Sequence, residues 1–138
     1  MAVVLGTNSG FCAASPTDDP AGTNRTVDSY AEVTKDTSPA GNNVITEVGW
    51  WCDNATKEAN FEVGLYAADG AVVPGEAGTL LYSSIVNAKG LGAGWKKVTG
   101  LSWAIDPSTP YWIGVQLDNT ATTTSINYAT SGGGRIRL

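Results

Sequence analysis

Few residue types in this sequence can carry chemistry, and the type that is missing narrows the possibilities most. The 138 residues contain no histidine. That excludes Ser/His/Asp and Cys/His nucleophilic systems, and with them imidazole ligation of zinc, copper or iron. Two cysteines cannot build a four-thiolate site within one chain. Carboxylates, a Ser/Lys pair and oxygen-liganded ions are what remain.

Among the carboxylates, Glu47 and Glu62 invite comparison with a glycosidase, whose acid and base stand about 5 to 9 Å apart. Outward carboxylates on strands more often keep a sheet soluble, so catalysis ranks last among the readings. Asp18-Asp19, Asp53-Asn54 and Asp118-Asn119 supply the hard oxygens that calcium prefers. None has EF-hand spacing, and Asx residues recur in turns for local reasons. No metal and no cofactor are expected.

Asn24-Arg25-Thr26 and Asn54-Ala55-Thr56 fit the N-glycosylation pattern, a signal that has meaning only in a eukaryotic secretory pathway. The glycines of 90–94 and 132–134 have no Lys-Ser/Thr successor. They read as turns, not phosphate cradles.

Cys12 and Cys52 lie forty positions apart, so neither a CxxC motif nor a metal spacing is present. Two readings stay open. A disulfide would tie the N-terminal segment to the core and suit an extracellular or virion setting. Two separate thiols, behaving as small hydrophobes, are the alternative.

The aromatic residues carry the strongest binding signal. Strand parity puts Glu47 with Trp51, Glu62 with Tyr66, and Trp112 with Gln116, each pair on the outer face of its own strand. If the three strands adjoin in one sheet, Trp51, Tyr66 and Trp112 form a platform flanked by Glu47, Glu62 and Gln116. Sugars stack on such platforms while polar neighbours read their hydroxyls. The same patch could instead be covered by the N-terminal segment or by a neighbouring subunit, since large exposed apolar patches are uncommon on monomers.

Those side chains need strands to hold them, and the sequence reads as strands throughout. Charged residues make up only 15%, fewer than amphipathic helices draw on. Val44 to Cys52 is the clearest strand, with Val44, Thr46, Val48, Trp50 and Cys52 assigned to the core. Phe61 to Ala67 alternates Phe61, Val63 and Leu65 against Glu62, Gly64 and Tyr66. Further strands are expected at Val27–Thr34, Thr79–Val86, Trp95–Trp103, Tyr111–Leu117 and Thr122–Ala129, with a short one within Phe11–Ala14. Turn clusters separate them, including Ser38-Pro39-Ala40-Gly41 and Asp106-Pro107-Ser108-Thr109-Pro110.

One domain spanning 1–138 is expected, with a loop-rich N-terminal segment over 1–43 and a flexible C-terminal tail over 131–138. The net charge is −5 and the basic residues are scattered, which disfavours nucleic acid and anionic membranes. No apolar run reaches the ~20 residues of a membrane helix. The apolar opening Met1-Ala2-Val3-Val4-Leu5 is too short for a signal peptide, so neither a signal peptide nor a transmembrane segment is expected.

From Asn43 onward the sequence resembles a broad group of bacterial and phage jelly-roll domains. The resembling residues are Ile45-Thr46-Glu47-Val48-Gly49-Trp50, Phe61-Glu62-Val63-Gly64-Leu65-Tyr66, Pro74-Gly75 with Leu80-Leu81, Gly94-Trp95-Lys96-Lys97-Val98, and Thr109-Pro110-Tyr111-Trp112-Ile113-Gly114-Val115-Gln116. They span roughly two thirds of the chain. The resemblance implies an all-β antiparallel sandwich of jelly-roll type. It also implies either a virion-surface part such as a decoration or fibre protein, or an accessory module on secreted proteins.

The expectation is therefore a non-enzymatic module for assembly or attachment, placed on a virion or extracellular surface. Its partners would be other virion or surface subunits, with homo-oligomerisation expected. A carbohydrate-binding module is the alternative, and a carboxylate glycosidase a distant third.

Overall fold

A computed structural model describes residues 4–20, 23–26, 30–41, 44–55, 61–70, 78–86, 92–117, 124–128 and 133–137. Within them lie nine strands and no helix: β1 (Thr23–Thr26), β2 (Tyr30–Thr37), β3 (Val44–Ala55), β4 (Phe61–Ala67), β5 (Leu80–Val86), β6 (Gly94–Ala104), β7 (Pro110–Leu117), β8 (Thr124–Tyr128) and β9 (Gly133–Arg137). All pair antiparallel. They form a four-stranded sheet in the order β1-β8-β3-β6 and a five-stranded sheet in the order β5-β4-β7-β2-β9.

One core joins the two sheets. Val48 and Trp50 of β3 and Val98 and Trp103 of β6 pack with Phe61, Val63 and Leu65 of β4 and Tyr111 of β7. Trp50 meets Phe61 edge-on, and Tyr82 of β5 stacks on Trp103 with ring centroids 5.5 Å apart. Apolar residues at alternate positions of facing strands have nowhere else to bury, so an all-β, sandwich-like arrangement follows from the period-2 pattern.

The alternation in β3 holds only from Val48 onward. Val44 and Thr46, assigned to the core by parity, are exposed, while Ile45 packs against the core. The register with β6 explains the inversion. Ile45 pairs with Trp103 and Glu47 with Thr99, so β3 spends one residue where β6 spends three. Gly100 takes up the slack at φ 73°, a conformation that glycine adopts without a Cβ penalty.

Several boundaries also differ from expectation. β2 runs on to Thr37 where Thr34 was expected, with Val27 outside the described residues, and β3 runs on to Ala55 where Cys52 was expected. Residues 11–14 form no strand. The expected flexible tail contains β9, which pairs with β2 from Tyr30↔Arg137 to Thr34↔Gly133. Glycine-rich sequence normally signals a turn. Here long-range pairing with β2 overrides that local preference.

The N-terminal segment has few strands of its own but packs closely on the sheets. Asn8, buried, accepts a hydrogen bond from the Val4 amide at 2.7 Å. The Phe11 amide donates to the Asp36 carboxylate at 2.8 Å, and the Phe11 ring meets Tyr111 edge-on at 6.2 Å. At the same end of the molecule, buried Ser38 donates to the Asp106 carbonyl at 2.6 Å and accepts from the Thr109 amide at 2.9 Å. These two bonds fasten the end of β2 to the turn that starts β7.

Candidate functional site

The predicted aromatic platform divides between two faces. β4 and β7 are neighbours, and their register sets Tyr66 opposite Trp112 and Glu62 opposite Gln116. β3 belongs to the other sheet. Trp51 and Glu47 therefore occupy the opposite outer surface of the molecule. Parity assigns a residue to a face but says nothing about which sheet holds the strand.

On the four-stranded side, Trp51 pairs with Trp95 across β3 and β6, and their rings meet edge-on at 5.8 Å. The N-terminal segment crosses this surface. Ser15 donates to Glu47 at 2.6 Å, Lys97 donates to Ser15, and Lys97 stands 3.4 Å from Glu47 as an ion pair. The Trp95 indole donates to the Asp18 carbonyl at 3.0 Å. The Trp51 indole N–H is buried with no hydrogen-bond partner among the described residues. Residues 15–18 thus act as a strap fastened to Glu47, Lys97 and Trp95.

On the five-stranded side, three cross-strand rows organise the outer face. The first runs Lys35–Trp112–Tyr66–Leu80, the second Val33–Gly114–Gly64–Ser83, and the third Ala31–Gln116–Glu62–Ile85. The paired glycines leave a trough. A Cβ on Gly64 would meet the Tyr66 ring at 3.1 Å, and one on Gly114 would meet it at 3.3 Å. The Tyr66 ring therefore lies back across both glycines, with Val33 and Leu80 beside them. Burial raises the Tyr66 phenol above its ordinary value, and the negative charge of Glu62 adds to the shift.

Trp112 is half-buried, and the Lys35 ammonium sits 5.5 Å from the centroid of its ring. A cation over an indole face is attracted by the ring quadrupole. Lys35 thereby occupies part of the surface that a stacking ligand would use.

The outermost strand of this face is β5. Ile85 is 71% exposed, Leu80 49% and Leu81 43%, and no charged residue or proline falls within Leu80–Val86. Leu80 and Leu81 both stand near Tyr66 because the β4–β5 register shifts there, with Leu65 opposite Tyr82 and Tyr66 opposite Leu80. From sequence this segment reads only as a strand. A further signal is present in its seven consecutive uncharged residues, since edge strands ordinarily carry a charge or proline.

Geometry also bears on the glycosidase reading and on the two readings left open for the cysteines. Glu47 and Glu62 point away from each other on opposite outer faces. Sheets pack about 10 Å apart before side chains are added, so the two carboxylates cannot serve as an acid–base pair at about 5 to 9 Å. No disulfide joins Cys12 and Cys52, which are half-buried and buried respectively. Cys12 follows Phe11, which packs on Tyr111. Cys52 lies beyond Trp50, which packs on Phe61, the partner of Leu117 at the far end of β7. Six residues of strand separate those ends, roughly 20 Å at about 3.3 Å per residue, whereas a disulfide needs Cα atoms within about 7 Å.

Of the calcium candidates, Asp118-Asn119 lies outside the described residues. Among those described, no three Asp, Glu or Cys side chains converge as an ion site would require. No helix among them is long and apolar enough to cross a membrane. Comparison with family models, with curated proteins and with solved structures finds no match.

Proposed function

We propose that this chain is a non-enzymatic jelly-roll module that acts in assembly or attachment, as a decoration- or fibre-like subunit of a virion or cell-surface structure. The strand order supports the jelly-roll reading. Apart from the β4–β5 hairpin, successive strands from β1 to β8 change sheet, giving the orders β1-β8-β3-β6 and β5-β4-β7-β2, the pattern of eight strands wound into two Greek keys. β9 is an addition at the β2 edge.

The observation that carries the assembly reading is the β5 edge, which has no strand beyond it among the described residues, is uncharged and bears Leu80, Leu81 and Ile85 in solvent. Exposed backbone donors and acceptors beside apolar side chains invite another strand. Light scattering coupled to size exclusion tests the reading. An oligomer of defined stoichiometry is expected, and a chain that stays monomeric at all concentrations overturns it.

The second reading, a carbohydrate-binding module, draws on the Tyr66–Trp112 row with Glu62 and Gln116 beside it. Two contacts weaken it: Lys35 lies over Trp112, and one face of Tyr66 is spent on Gly64 and Gly114. A glycan array probed with the native chain and with Trp112→Ala decides. Glycan binding that disappears in the variant would favour the sugar reading over assembly.

A further inference from the structure

We infer that β5 pairs with β5 of a second copy, antiparallel and centred on Ser83, so that two five-stranded sheets become one continuous sheet. The inference rests on the assembly reading and specifies its partner.

The open side of β5 calls for a strand. Among the described residues β5 has one ladder neighbour, β4, and alternate amides and carbonyls of an edge strand face outward. Three of the six exposed large hydrophobic residues among those described, Leu80, Leu81 and Ile85, lie on this strand. The strand is also held ready. Tyr82 stacks on Trp103 and donates to the Ala104 carbonyl at 2.9 Å, which fixes the inner face of β5 while its outer edge stays open.

The side-chain order identifies the second strand as another copy. Antiparallel pairing about Ser83 sets Ser83 against its counterpart, Leu81 against Ile85 and Ile85 against Leu81. Both flanking pairs are apolar and the centre is small and polar. Apolar cross-strand pairs stabilise such a ladder, and like charges set opposite one another oppose it. A chain of net charge −5 meets its own copy here through a strand with no charge to repel, as an isologous two-fold contact requires. The irregular register at Leu80 and Tyr66 ends the pairing on one side, leaving Leu81–Ile85 as the paired length.

Five paired residues make a small interface, so association is best followed over a concentration series. Light scattering should show the mass rising from one chain to two. Ile85→Lys, at a site already 71% exposed, should leave the melting temperature unchanged at dilutions where the native chain is monomeric and raise the dimer dissociation constant at least tenfold. In a Cys12→Ser background, Ser83→Cys should give a disulfide-linked dimer under mild oxidation, because opposed residues in antiparallel strands have Cα atoms about 4.5 to 5.5 Å apart. An oligomer insensitive to Ile85→Lys, with no cross-link at position 83, would overturn β5 pairing and leave assembly standing through another surface. A native chain that is monomeric throughout would overturn both.

Discussion

At the scale of single residues, small polar groups tie the ends of the strands together. Ser38 is buried and serves both the Asp106 carbonyl and the Thr109 amide. Ser38→Ala would remove the partner of both backbone groups at a part-buried site. A loss of about 1 to 3 kcal/mol is expected from that unpairing, to be measured by denaturant unfolding. Tyr66 gives a prediction in pH. Its folded pKa lies above the usual 10.0, so above that value the folded state retains a proton that the unfolded chain has released. Stability should therefore fall as pH rises through and beyond the ordinary tyrosine range. Difference absorbance in Glu62→Gln should show Tyr66 ionising earlier than in the native chain, because one source of repulsion is gone.

At the scale of elements, the irregular stretch where β6 passes β3 decides which side chains reach the core. Gly100, at φ 73°, lets three residues of β6 pass one of β3, and this turns Ile45 inward and Val44 outward. Gly100→Val puts a β-branched residue where the left-handed conformation costs roughly 1 to 2 kcal/mol or more, and thermal melting should register the loss. Val48, Trp50, Phe61, Val63 and Leu65 are legible as core from alternation alone, because they lie in regular ladder. Val44 and Thr46 are not, because a register shift is set by the partner strand. The candidate face is half legible for a similar reason. Tyr66, Trp112, Glu62 and Gln116 do share a surface, whereas Trp51 and Glu47 belong to a strand whose sheet only long-range pairing determines. Cover of the outer aromatic face by the N-terminal segment is one of the alternatives that sequence allows, but local sequence does not show that Ser15 and Asp18 reach Glu47 and Trp95 beside Trp51.

For the whole molecule, the two ends of the sandwich-like body are chemically distinct. Phe11, Asp36, Ser38 and Tyr111 gather at one end, and Trp50, Cys52 and Phe61 near the other. The cysteines divide between those ends and should behave independently. Burial raises the Cys12 thiol above its ordinary value, and the negative charge of Asp36 adds to this against a lowering bond from the Ser9 backbone. Its reaction with a disulfide reagent should be slower than that of a free thiol, since the thiolate is the reacting form. Cys52, 1% exposed, should react only after denaturant is added. A native chain that shows no thiol even when unfolded under non-reducing conditions would contradict this arrangement.

The position of β9 has a consequence for how far such a chain can polymerise. By lying along β2, it occupies the opposite margin of the five-stranded sheet, so the two margins are strands of unlike sequence, Leu80–Val86 and Gly133–Arg137. A two-fold β5 pairing uses the same margin of both copies and leaves none of that kind free, so strand addition would stop at a closed pair instead of propagating into a filament.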